Sequence, residues 1–187
     1  MKTVILVYPK IEYEANYPNT WIPYSILSIA SVIHDSGVKV LMFDENITDS
    51  GKFDALIEKN INDCICVGFS IMTGGGQIHN AINLAKKVKS IDKNIPIVFG
   101  GPHVNVLPKE TLCHPLIDIV LTGNGQYSFP YLLQYLDGKI QAQQVPNMYY
   151  KNLEGNVFIS STSTAQNLIL PRYNFDLLDL GLNYNTI

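Results

Sequence analysis

Residues 64–89, CICVGFSIMTGGGQIHNAINLAKKVK, change their hydrophobic period part-way, and that change decides the fold. Cys64 to Phe69 is a short apolar run bounded by turn residues, which predicts a buried β-strand. Thr73-Gly74-Gly75-Gly76 then breaks the chain. Beyond it Ile78, Ala81, Ile82 and Ala85 fall on one helical face, and Lys86, Lys87 and Lys89 gather near the C-terminal end, where the helix dipole favours positive charge. Strand, glycine turn and helix together make one half of a βαβ unit.

Working outward, the same unit recurs. Val4 to Tyr8, Val38 to Phe43, Ile95 to Phe99 and Ile117 to Leu121 are apolar runs, each followed by a helical pattern. Strands that do not alternate with polar residues are buried on both faces, as in a parallel sheet covered by helices. The first helix is expected from Pro23 to just before Gly37, with Ile26, Ile29, Ala30 and Ile33 inward. Others are predicted near Phe53 to Asn60, Lys109 to Cys113 and Ser128 to Leu136. The fold class is therefore α/β, a doubly wound, Rossmann-like or flavodoxin-like five-stranded parallel sheet with helices on both faces. After Gly138 the rhythm changes to a hairpin from Asn147 to Ser161, turning through Asn152 to Gly155. Ser160 to Gln166 is Ser/Thr-rich, and Leu170-Pro171 opens an extended segment. This divides the chain into a sheet domain, residues 1–140, and a hairpin extension with linker, residues 141–187.

Composition narrows the function. The chain has 187 residues, 47% apolar and 16% charged, which is globular, and its apolar runs are too short to span a bilayer. Val4 to Val7 ends in Tyr8-Pro9, a strand and turn rather than a signal-peptide core, so a cytoplasmic protein without a membrane partner is expected. The net charge of −3 and the scattered Lys and Arg residues argue against nucleic acid. Cys64, Cys66 and Cys113 include no C-x-x-C pair and read as small buried hydrophobes, with Cys64 and Cys66 alternating onto one strand face.

In an open parallel sheet, ligands bind beyond the carboxyl ends of the strands where the strand order reverses. Four loops meet there. They are Tyr8-Pro9 with a long excursion to Pro23; Ser70, Ile71, Met72, Thr73 and Gly74 to Gly76; Gly100-Gly101-Pro102-His103; and Gly123-Asn124-Gly125-Gln126. Glycine admits positive φ and close backbone approach, so its concentration along one edge suggests a ligand shelf. The start of the third helix would suit a phosphate or polar arm, and Ser70 and Thr73 either bond a ligand or cap that helix. His103 reads as a turn residue, and His34, His79 and His114 have no companion at metal-ligand spacing. No catalytic residue or metal site is expected: paired carboxylates, a nucleophile elbow, a Walker loop and G-x-G-x-x-G are all missing.

These segments resemble the N-terminal cobalamin-binding domain of cobalamin-dependent radical S-adenosylmethionine enzymes. The motifs that carry the resemblance are Pro23 to Gly37 with Val40 to Asp44; Val67 to Thr73 with Gln77-Ile78; Val98 to His103 with Pro108-Lys109-Glu110; and Asp118-Ile119-Val120 leading to Gly123 to Gln126. The resemblance implies cobalamin as cofactor. It places the corrinoid over the sheet edge and its nucleotide tail in the crevice, with Pro9, Ser70 to Gly74, Gly100 to His103 and Gly123 to Gln126 as candidate contacts. Asn124 and Gln126 stand where the family usually carries Glu, keeping hydrogen-bonding capacity without the charge. Tyr8 to Tyr13 does not supply the D-x-H-x-x-G of the methionine-synthase type, so that loop offers no axial His.

The sequence also contains no C-x-x-x-C-x-x-C, the motif that holds the 4Fe-4S cluster and S-adenosylmethionine in full-length relatives. A radical S-adenosylmethionine domain, in cis or in trans, is accordingly the expected partner, with methyl transfer or radical chemistry done jointly. Two other readings share the same sheet edge. One is a flavin- or nucleotide-binding module, and the other is an interaction domain whose crevice is filled by its own side chains. A phosphoryl-accepting receiver is excluded, because Phe69-Ser70 ends the third strand where an Asp is needed.

Overall fold

A computed structural model describes residues 1–12, 21–72, 74, 76–152, 154–160 and 172–178. Strands β1 (Thr3–Tyr8), β2 (Lys39–Asp44), β3 (Cys64–Ser70), β4 (Ile97–Gly100) and β5 (Ile119–Leu121) form a parallel sheet in the order β2-β1-β3-β4-β5. The helices are α1 (Tyr24–Ile33), α2 (Gly51–Asn60), α3 (Gln77–Ile91), α4 (Pro102–Val106), α5 (Pro108–Leu112) and α6 (Gly125–Leu136).

Right-handed crossovers determine which face each helix covers. The chain steps one way from β1 to β2 and then back across β1 to β3, so α1 lies on the opposite face from α2 and α3. Two cores result. Phe53, Ala81, Leu84, Val88 and Leu112 bury one face of the sheet, and Ile26, Ala30, Ile33, Phe129 and Leu132 bury the other. In α3 the fully enclosed stripe runs through Ala81, Leu84, Ala85 and Val88, with Ile78 and Ile82 at its margin. Lys89 anchors the far end of the sheet, donating to Asp118 at 2.6 Å and to the carbonyl of Ile95 at 2.8 Å.

The expected hairpin is β6 (Met148–Lys151) and β7 (Val157–Ile159), and it extends the sheet to seven strands, antiparallel from β5 outward. Its turn is tied by Asn152, whose Oδ1 accepts from the backbone N–H of Glu154 and of Asn156. Of the segment expected to be a linker, residues 161–171 and 179–187 lie outside the described residues. Residues 172–178 lie against α1: Asn174 N–H donates to Ser31 Oγ at 2.8 Å, and Tyr173 meets Tyr24 edge to face.

Three local expectations are corrected, one of them the burial of Cys113, which is exposed. Gly100-Gly101-Pro102-His103 is not simply a turn, because Pro102 opens α4. A proline suits a helix's first position, where its missing N–H has no partner to lose, and the short pattern gave no periodicity to reveal it. Cys64 and Cys66 do not share a face: Cys64 packs against the α2/α3 core and Cys66 within the α1/α6 core. The ladder between β1 and β3 shifts register between Thr3 and Val4, so Ile65 is passed over and the alternation slips by one.

Burial pushes the Cys64 thiol up to about 11 and the Cys66 thiol higher still, whereas Cys113 is exposed. A colorimetric thiol titration of the native protein at pH 8 should count one fast thiol, rising to three in denaturant. Three fast thiols in the native state would contradict this packing.

Candidate functional site

The sheet face under α1 and α6 tapers toward the carboxyl ends of its strands. On β3 the residues facing these helices are all small, Cys66, Gly68 and Ser70, and on β4 size falls from Val98 to Gly100. Opposite them, α1 presents Ser25 and Ser28, and α6 begins with Gly125. Small residues on both sides cannot close the gap. A cleft of about 680 Å³, counted with its open mouth, is left between the sheet and the two helices.

Its floor is apolar, made by Leu6, Val98, Leu121 and Phe129, and Ile26 and Ile29 form the α1 side. The rim is polar. Ser70 Oγ, on a residue only 6% exposed, donates to Ser25 Oγ at 2.9 Å across the cleft. Asn124 and Gln126 supply amides, and Pro130 has no N–H to give the Gln126 carbonyl its helical partner.

Of the residues expected at the site, Ser70, Gly100, Gly101, Gly123, Asn124, Gly125 and Gln126 line this cleft. Pro9, Ile71, Met72, Gly74, Pro102 and His103 do not: Ile71 is buried in the α2/α3 core, and Pro102 and His103 begin α4. Thr73 lies outside the described residues, as does Gly75. Ser70 is not a helix cap, since Gly76 precedes α3.

The start of α3 is also not open to a phosphate. The Glu12 carboxylate already lies there: a Cβ on Gly76 would stand 2.9 Å from Glu12 Oε2. A carboxylate at a helix N-terminus satisfies the dipole that a ligand anion would otherwise use. Ser25, Ser28 and Asn105 were not singled out from the sequence, and Gln77 entered only as part of a motif, with no role at the site. Ser25 and Ser28 read there as polar positions of an amphipathic helix, and only tertiary packing turns them toward the cleft.

The loop after β1 is strapped at the end of β2. Lys10 N–H donates to Glu45 Oε2 and Ile11 N–H to Asn46 Oδ1, each at 2.9 Å. Asn46 in turn donates to Asp44 Oδ1 at 2.8 Å, while Asp44 Oδ2 is buried without a hydrogen-bond partner among the described residues. Burial is the main reason that the Asp44 carboxyl titrates above the ordinary carboxylate value. The folded protein then holds this proton more tightly than the unfolded chain. Asp44 accordingly favours folding most below its unfolded pKa, and that contribution is lost as pH rises through the folded pKa. The melting temperature of Asp44→Asn relative to wild type should therefore be more favourable at pH 8 than at pH 4. A difference that is flat with pH would exclude a desolvated Asp44 carboxylate.

Among the described residues no group of three His, Cys, Asp or Glu side chains could hold a metal ion, and no helix is long and apolar enough to cross a membrane. Residues 13–133 match the family described as the B12 binding domain. The chain belongs to the B12-binding domain family. Its cofactor is cobalamin, and the open cleft is at odds with a domain sealed by its own side chains.

Among similar proteins is the uncharacterized methyltransferase PH0819 of Pyrococcus horikoshii, 28% identical over 134 residues, which are 69% of this chain and 28% of that protein. Another is the cytidylyl-2-hydroxyethylphosphonate methyltransferase of Streptomyces wedmorensis, 26% identical over 83 residues, 44% of this chain and 16% of that protein. Two solved structures share the fold. The cobalamin-dependent S-adenosylmethionine radical enzyme OxsB, with aqua-cobalamin and S-adenosylmethionine bound, superimposes with a TM-score of 0.71 at 18% identity, covering 88% of this chain and 23% of that one. The radical S-adenosylmethionine methyltransferase TsrM from Kitasatospora setae, with cobalamin and a 4Fe-4S cluster bound, gives 0.71 at 14% identity, covering 90% of this chain and 30% of that one. This chain thus spans less than a third of each of these relatives.

Proposed function

We propose that this B12-binding domain holds cobalamin with its nucleotide tail in the cleft between the sheet and α1/α6, and presents the corrinoid at the sheet edge to a radical S-adenosylmethionine domain. The observation that carries the reading is the shape of that cleft: an apolar slot with hydroxyls and amides at its rim, opening at the edge where the glycine loops meet. Such a slot suits a flat heteroaromatic base attached to a polar, phosphate-bearing arm. Ser70, Ser25, Asn124 and Gln126 supply hydrogen-bonding groups at the rim, and Gly100, Gly101, Gly123 and Gly125 add to the lining. Pro9, Met72 and His103 come from the same end of the sheet and are the proposed contacts of the macrocycle.

When bound, the corrinoid supplies the cobalt chemistry of methyl transfer or radical reactions, and the protein's part is to hold and orient it. In this reading residues 1–140 are the holding domain, and residues 141–187 are its hairpin extension and the link to a partner domain. The methyltransferases among the similar proteins support a methyl-transfer setting, and the setting proposed is the cytoplasm. The test is to mix the purified chain with hydroxocobalamin, oxidised and reduced, and pass it through gel filtration. Co-elution of the visible corrinoid absorbance with the protein is expected, together with a raised melting temperature. A colourless protein peak in every state would overturn the proposal, and a yellow fluorescent peak from the cell would favour a flavin instead.

A further inference from the structure

We propose that Gln77 is the positioning residue of the cobalamin site, holding the loops along the cleft's mouth in one fixed arrangement; the inference rests on the cobalamin reading above. Gln77 is fully buried at the start of α3, where a long polar side chain is costly unless both ends are bonded. Both are. Its Nε2 donates to the Pro9 carbonyl at 2.8 Å, and its Oε1 accepts from Met72 N–H at 2.5 Å. One amide thereby ties the loop after β1 to the loop after β3, the two that flank the point where the strand order reverses.

The tie continues along the edge. Next to Met72, Ile71 N–H donates to the Gly100 carbonyl at 2.9 Å, and the Ile71 carbonyl accepts from His103 N–H at 3.1 Å. From α4, Asn105 Oδ1 accepts from Gly123 N–H at 2.8 Å, reaching the fourth loop. The candidate cobalamin contacts on four separate loops therefore stand in one hydrogen-bonded row, and Gln77 is the side chain that joins its first two members. On the other side, Asn46 and Glu45 brace the first loop against β2. Gln77 itself does not line the cleft, so it acts on the ligand through the backbone positions of Pro9, Met72 and, beyond it, Ser70. Loops held in the bound geometry before the ligand arrives raise affinity by removing the ordering cost from binding.

The two substitutions Gln77→Leu and Gln77→Glu separate the halves of the clamp. Leu removes both bonds at similar size; the Glu carboxylate still accepts from Met72 N–H but cannot donate to Pro9. With hydroxocobalamin as the probe, Gln77→Leu should bind roughly tenfold or more weakly, the equivalent of about one hydrogen bond or more, and release the corrinoid faster. Gln77→Glu should fall between it and wild type. Hydrogen exchange on the ligand-free proteins should show the Met72 amide losing protection in Gln77→Leu and keeping it in Gln77→Glu, with Val67 and Phe69 inside β3 unchanged in both.

If Gln77→Leu does not fold, the Gln77→Glu affinity alone decides, and wild-type affinity in it overturns the proposal. Lost protection at Met72 with undiminished affinity would reduce Gln77 to a structural residue while leaving the cobalamin reading intact. A wild-type protein that retains no corrinoid overturns the cobalamin reading and the proposal with it.

Discussion

Replacing Gly101 by alanine is expected to destabilise the protein by about 3 kcal/mol or more and to abolish corrinoid retention. Gly101 has φ +96°, where side chains are strained, and an added Cβ would stand 2.6 Å from the Ile71 carbonyl oxygen and 2.7 Å from its nitrogen. Neither neighbour is the end of a flexible side chain that could swing away. Both belong to the hydrogen-bonded crossing of the β3 and β4 loops, where Ile71 N–H meets Gly100 and His103 N–H meets Ile71. The methyl group must part the two loops that form the cleft's mouth. Urea unfolding followed by circular dichroism would show a lower midpoint with an unchanged slope. For a chain of this size the melting temperature should drop by roughly 6–12 °C. Wild-type stability and binding in Gly101→Ala would mean that the crossing is far looser than its geometry.

Ser25→Trp should do the opposite, leaving the fold nearly intact while lowering hydroxocobalamin affinity by about a hundredfold or more. Ser25 is exposed, so the change should cost less than about 1 kcal/mol of stability. Its hydroxyl nevertheless points across the cleft to Ser70, so an indole at this position enters the slot that the nucleotide tail needs. Ser25→Ala is the control: it leaves the slot open and removes one hydrogen bond, for a loss of tenfold or less. Measured by equilibrium absorbance titration, equal affinity in Ser25→Trp and wild type would place the tail elsewhere.

The two substitutions probe what was hardest to read before the chain was folded. Glycine runs at Gly74 to Gly76, Gly100-Gly101 and Gly123 to Gly125 announced a ligand edge because only glycine combines positive φ with room for close approach, and three such runs at strand ends are hard to assign to turn-making alone. Which of them face the cleft was not legible. Gly76 turned out to lie against the Glu12 carboxylate, and Gly101 to let two loops cross. Ser25 and Ser28 carried no signal, since one serine on an amphipathic helix looks like another until its neighbours are known. Gln77 entered only as part of a motif and proved to bolt the loop beside it to Pro9, 68 residues earlier in sequence.

Taken alone, the order of amino acids determined the sheet, its helices and the edge on which a ligand belongs. These follow from local facts: apolar runs long enough for buried strands, helical spacing between them, and glycine where they meet. The family likeness named the cofactor from the same short motifs. Tertiary structure alone decided the register slip that parts Cys64 from Cys66, the opening of α4 at Pro102, and the taper that leaves a cleft. It also decided the row of hydrogen bonds from Pro9 to Gly123. Each of these depends on which distant residues come to lie opposite one another, and a pairing set by long-range packing leaves no mark on the stretches of chain that take part in it.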